Sequence, residues 1–119
     1  MTRGSSPVVT AIRLGRLGDL VMTLPALEQL RSTVTLQVVT DAAYVGLLRH
    51  ALPGALVVAP QRLETLAPAD GRLDLHGVRR ATRLLAQAPA QRDVVDVGVD
   101  KESLRRRALL VPGLRAIAP

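Results

Sequence analysis

The chain has 119 residues, which suits one domain with a single core and excludes two. Apolar residues make up 48% of it, almost all Leu, Val and Ala with Tyr44 as the sole aromatic, so disorder and stacking on rings are both excluded. A net charge of +6 favours anionic partners, while the lack of cysteine rules out disulfides, thiolate catalysis and cysteine-based zinc sites.

Val8–Ile12 reads as a first apolar strand, entering a turn with two glycines, Gly15 and Gly18. Residues 20–30 follow with Leu20, Leu24, Leu27 and Leu30 at helical spacing. Pro25 lies inside that pattern and removes a backbone donor, so a kink is expected there, or a helix starting near Thr23. Residues 35–40 read as a second strand ending at Asp41, and residues 44–51 as a short helix stopped by Pro53 and Gly54. A third strand is expected over residues 55–58. Residues 61–71, with Pro60 and Pro68 at or near their ends, read as a long loop. A short fourth strand is expected over residues 72–75, with residues 68–72 standing where an apolar strand start should be. Residues 78–88 form an amphipathic helix, with Val78, Ala81, Leu85 and Ala88 on one face and Arg79, Arg80, Arg83 and Gln87 away from it. Residues 93–99 read as a fifth strand, and residues 104–111 as a last helix ended by Pro112 and Gly113.

Near-continuous β-branched strands alternating with helices indicate an open parallel sheet of about five strands, with helices on both faces. The chain is then one Rossmann-like domain over residues 1–119. Right-handed crossovers put the C-terminal ends of all strands on one edge, gathering Gly15, Asp41, Pro60, His76 and Asp100 there. Open α/β sheets bind their ligands at such an edge.

Asp19 is the one carboxylate placed directly at a strand-to-helix turn. As a general base it would take a proton from a substrate hydroxyl, and a helix N-terminus would favour its charged form. As a structural residue it would cap the helix. Spacing alone leaves both readings open.

Residues 13–27, Arg-Leu-Gly-Arg-Leu-Gly-Asp-Leu-Val-Met-Thr-Leu-Pro-Ala-Leu, resemble the N-terminal motif of the family 9 glycosyltransferases, the lipopolysaccharide heptosyltransferases and their relatives. Residues 40–44, 73–77 and 100–106 resemble the segments that follow or end that family's second, fourth and fifth strands. The resemblance implies a GT-B fold of two Rossmann-like domains, with the acceptor held by the first and a nucleotide-sugar by the second. It implies metal-independent, inverting sugar transfer to a cell-envelope saccharide of the lipopolysaccharide core type. Asp19 would be the base, and Gly15, Arg16, Gly18, His76, Gly77 and Arg79 would lie against the acceptor. The chain would then be a truncated glycosyltransferase, its C-terminal donor domain absent. The expected partner is an anionic saccharide or lipid-linked acceptor, and a nucleotide-sugar only where a donor domain is supplied. No cofactor and no metal is expected. An exposed cleft face would permit self-association. The alternative is an inactive binding or interaction module that keeps the fold.

Other patterns carry less. The spacing from Gly15 to Gly18, with Asp41 closing the second strand, matches only part of a dinucleotide fingerprint. Arg79, Arg80 and Arg83 either grip anionic groups or form a solvated helix face. His76 either bonds a substrate or satisfies a backbone carbonyl. Nucleic acid is disfavoured, because aromatic platforms and a recognition-helix motif are both lacking. No apolar run approaches the ~20 residues of a membrane span, and residues 1–7 lack the apolar stretch of a secretory signal. A cytoplasmic location is expected, with a peripheral position at the inner membrane open to a basic chain.

Overall fold

The computed structural model describes residues 6–98. Five parallel strands form one sheet in the order β3-β2-β1-β4-β5: β1 Val8–Ile12, β2 Thr35–Val39, β3 Leu56–Val58, β4 Ala69–Asp74 and β5 Ala90–Gly98. Three α-helices connect them: α1 Leu17–Arg31, α2 Val45–Ala51 and α3 Arg79–Gln87. Residues 100–106 and the helix expected over residues 104–111 lie outside the described residues.

Side chains of successive strand residues point to opposite faces, and the sequence fills both faces with aliphatics. On one face Ala11, Leu36, Val38 and Val57 meet Leu20 and Leu27 of α1 and Leu48 of α2. On the other, Ile12, Val39 and Val58 meet Ala81 and Leu85 of α3 together with Leu63 and Leu66. Each buried leucine or valine contributes roughly 1.5–3 kcal/mol. Burial on both sides explains why these strands read as unbroken apolar runs instead of alternating ones.

Three expectations need correction. First, α1 begins at Leu17 and runs through Pro25 as one helix. Pro25 is exposed, so the carbonyl of Val21 that loses its donor lies on the exposed side of the helix, where water can replace the lost bond. Thr23, buried, returns its hydroxyl to the carbonyl of Leu20 at 2.7 Å. Second, residues 61–71 are not one loop: Pro60–Thr65 forms 3-10 turns, kinked at Arg62, that bury Leu63.

Third, β4 is not shortened but spans six residues from Ala69. Its polar residues read as a loop because their partners are remote in sequence. Asp70 accepts the amide of Val8 at 2.8 Å. Gly71 pairs in register with Val95 of β5. Arg72 makes two bonds to Asp96 of β5, at 2.6 and 2.9 Å, and its third nitrogen reaches the carbonyls of Leu85, Ala86 and Ala88. That guanidinium closes the C-terminus of α3, where positive charge is favoured.

The Arg72 bonds hold the Asp96 carboxyl below its usual range, chiefly through the hydrogen bonds and further through the charge of the guanidinium. A lowered carboxylate value stabilises the fold above the ordinary aspartate range, and that contribution disappears as pH falls through the lowered value. Because the Asp96 side chain is 57% exposed, the effect is modest. Urea midpoints of the parent should exceed those of Asp96→Asn at about pH 6 and converge with them at about pH 2. A gap that stays constant across this range would contradict the assignment.

Candidate functional site

The strand order reverses direction between β1 and β4. From β1 the chain winds outward through β2 to β3, and it then returns to β4 on the other side of β1. The loops leaving β1 and β4 therefore diverge to opposite faces and leave a crevice between them. Residues 13–19 flank this point on the β1 side and residues 75–79 on the β4 side.

Arg13 continues β1 by one residue and is 3% exposed. One guanidinium nitrogen donates to the carbonyl of Leu75 at 3.2 Å, across the crevice floor. Another lies 3.3 Å from a carboxylate oxygen of Asp19. One buried cation thus ties the end of β4 to the first turn of α1. A buried arginine needs such partners, because an isolated buried charge is costly.

Asp19 sits in the first turn of α1, and Arg16, with extended backbone, is the N-cap residue. Asp19 is therefore not the N-cap. Its side chain is 37% exposed, and one of its carboxylate oxygens faces Arg13. The amides of the first turn favour negative charge there.

Gly15 has φ of +101°, a region that favours glycine. A Cβ at Gly15 would come within 3.4 Å of the His76 ring, so the imidazole packs against this turn from across the crevice. The amide of Gly15 donates to Asp41 at 2.8 Å, and the other Asp41 oxygen lies 3.9 Å from Arg80. Asp41 is thus engaged with the β1 turn and α3, which removes the basis for reading it as a ribose partner.

On the β4 side, Asp74 is buried at 6% exposure. One of its oxygens accepts the amides of His76 at 3.0 Å and Gly77 at 2.8 Å, and the other accepts the hydroxyl of Thr82 at 2.7 Å. With Gly77 at φ +74°, this carboxylate folds the β4 loop so that His76 faces Gly15. Sequence reading missed Asp74 as an organiser. Its signal was an aspartate closing a strand with glycine three residues on, a pattern in which the side chain bonds nearby amides.

The expected residues thus divide by place. Gly15 and His76 pack against each other, Gly77 follows His76 in the loop that Asp74 folds, and Asp19 is joined to the end of β4 only through Arg13. Arg16 and Gly18 are exposed at the start of α1, and Arg79 is exposed at the start of α3. Arg79, Arg80 and Arg83 are all exposed, as an amphipathic helix demands. Among the described residues no helix is long and apolar enough to cross a membrane.

The sequence matches no protein-family model and no curated protein. A solved structure does match in three dimensions: a glycosyl transferase family 9 protein from Veillonella parvula DSM 2008, with a TM-score of 0.59 and 18% sequence identity. The fold is like that of a family 9 glycosyltransferase. The match covers 83% of this chain and 33% of the neighbour, so the chain spans about a third of that protein's length.

The two glycines of the β1 turn, drawn together by sequence, differ in physical role. Gly15→Ala meets both a strained φ and the His76 ring, and should cost about 1–3 kcal/mol. Gly18 lies within α1 with no atom near its would-be Cβ, so Gly18→Ala should leave stability unchanged or raise it by about 0.5 kcal/mol. Urea unfolding of both variants checks this contrast, and equal losses would contradict it.

Proposed function

We propose that this chain supplies the acceptor-side half of a family 9-type glycosyltransferase, with Asp19 as the base that activates the acceptor hydroxyl. The observation that carries this reading is the placement of Asp19. A partly exposed carboxylate stands at the switch point of a 3-2-1-4-5 sheet, gripped by the buried Arg13. The likeness in fold to a family 9 glycosyl transferase supports it. So does the resemblance of residues 13–27 to the motif of that family.

In this reading the acceptor lies in the crevice over Gly15, His76 and Gly77. Gly18 leaves room for close approach to the first turn of α1. Arg16 stands on the β1 side and Arg79 on the β4 side, where each can make paired bonds to an acceptor phosphate or carboxylate. Asp19 removes the proton of the attacking hydroxyl as that oxygen bonds to the anomeric carbon, and the nucleoside diphosphate departs from the opposite face of the sugar. Arg13 keeps the carboxylate in position. In this reading the donor is held by a second domain.

The test is sugar transfer by the parent and by Asp19→Asn, each combined with a donor-binding half and a nucleotide-sugar. Loss of transfer in the variant with acceptor affinity retained supports the reading. Acceptor binding without transfer in either chain would leave a binding module of the same fold.

A further inference from the structure

β3 closes the sheet on one side, so one of its edges has no neighbouring strand among the described residues. The amide of Thr40 donates to the carbonyl of Val58 at 3.1 Å, so the peptide groups of Val58 face β2. A strand residue sends its amide and its carbonyl to the same side, and the next residue sends its own to the other. The amide and carbonyl of Val57 therefore face the open edge. Arg49 of α2 reaches this edge, where two of its guanidinium nitrogens donate to the Val57 carbonyl at 3.2 and 3.1 Å. A hollow of about 410 Å³ lies at the same edge, lined by Arg49, Leu56, Val58, Arg62 and Thr65 among others. Its two arginines come from opposite faces of the sheet. α2 packs on the face that carries Val57, and the 3-10 turns pack through Leu63 on the face that carries Val58. Among the described residues no carboxylate lines the hollow. Leu56, 43% exposed, gives it an apolar floor.

We propose that this edge takes up an extended segment of a partner protein that carries two adjacent acidic side chains. The segment adds to β3 as a further strand, with its backbone paired to the amide and carbonyl of Val57. Side chains of successive strand residues point to opposite faces. Two adjacent carboxylates therefore meet Arg49 on one side and Arg62 on the other. The step that admits the segment is an exchange of hydrogen bonds. Arg49 moves its two bonds from the Val57 carbonyl to a carboxylate, with which arginine makes paired, charge-assisted bonds. The released carbonyl then accepts an amide of the incoming strand, so no bond is lost. A neutral segment offers Arg49 nothing to exchange, and the guanidinium goes on covering the carbonyl. Arg49 is thus the selector of this edge, and Arg62 adds affinity. The net charge of +6 draws an acidic segment towards the chain. A second copy of this chain does not supply the segment, because no two acidic residues are adjacent in its sequence.

The test is titration of the full chain with three end-capped peptides: Thr-Val-Glu-Glu-Val-Thr, its Gln-Gln counterpart, and the Glu-Glu peptide methylated on the backbone nitrogens of both glutamates. The parent should bind the first peptide about tenfold more tightly than either of the others, since one lacks the carboxylates and the other cannot pair its backbone. Amide exchange at Val57 should slow when the first peptide is bound. Arg49→Ala gives the distinguishing result. Its Val57 carbonyl is no longer covered, so the variant should bind the Gln-Gln peptide about threefold more tightly than the parent does, while its preference for Glu-Glu shrinks to about threefold. Simple charge attraction predicts no such gain. Arg62→Ala should lower affinity for the Glu-Glu peptide about fivefold without any gain for Gln-Gln. Failure of the parent to bind any of the peptides would overturn the proposal, as would equal affinity for all three. Undiminished binding of the methylated peptide would reduce the edge to a patch of positive charge and overturn strand addition. An Arg49→Ala variant with no gain for the Gln-Gln peptide would overturn the exchange.

Discussion

Asp74→Ala should lower the stability of this domain by about 3 kcal/mol, the largest loss expected for a single polar substitution here. The carboxylate accepts three hydrogen bonds from a site that is only 6% exposed. Removing it strands the amides of His76 and Gly77, and although both bonds are only part-buried, losing the pair costs roughly 1–3 kcal/mol in all. Thr82 fares better, because its hydroxyl can still donate to the carbonyl of Val78 at 3.1 Å. Asp74→Asn separates charge from geometry. Its remaining oxygen keeps both amides, and its new NH2 group can donate to Thr82, whose hydroxyl turns to Val78. The asparagine variant should therefore lose only about 1 kcal/mol. Urea unfolding of the three proteins checks the order. Equal losses for Ala and Asn would mean that the charge, and not the bonding pattern, matters at Asp74. In the Ala variant the loop after β4 should also loosen, so amide exchange at His76 and Gly77 should accelerate while the core of β1 and β2 exchanges as before.

The sheet was legible in the sequence where local signals and tertiary burial agree. α3 announced itself because Ala81, Leu85 and Ala88 recur on one face and are buried, although Val78, expected on that face, is the exposed N-cap residue before the helix. β1, β2 and β3 were legible as aliphatic runs because both of their faces are covered. β4 was not, because three of its six residues are Asp70, Gly71 and Arg72, whose partners Val8, Val95 and Asp96 lie more than twenty residues away. Pro25 misled in the opposite direction. Local rules allow a helix start near Thr23, and a helix seated on the sheet by Leu20, Thr23 and Leu27 instead starts at Leu17 and includes Pro25. At the crevice, Asp19, Gly15 and His76 were recoverable from strand ends and turn chemistry. Arg13 was visible only as part of a motif. Its burial, and its link from Leu75 to Asp19, depend on β1 and β4 being neighbours, which no local pattern states.

Asp19→Asn should reduce sugar transfer about 10²–10⁴-fold when a donor-binding half and a nucleotide-sugar are supplied. The substitution keeps the size of the side chain and keeps one oxygen for Arg13, so the fold and the crevice should persist. What it removes is the ability to accept a proton from the acceptor hydroxyl. An interaction of that kind is realised only in the transition state, so the loss should appear in kcat, with acceptor affinity within about twofold of the parent. A residue that merely shaped the turn would behave differently, weakening binding and stability together.

The most direct measurement is that pair of rates, taken at saturating acceptor beside the urea midpoint of each protein. A collapse of transfer in Asp19→Asn with an unchanged midpoint and unchanged acceptor binding is the result this account predicts. Transfer at the parental rate would contradict it.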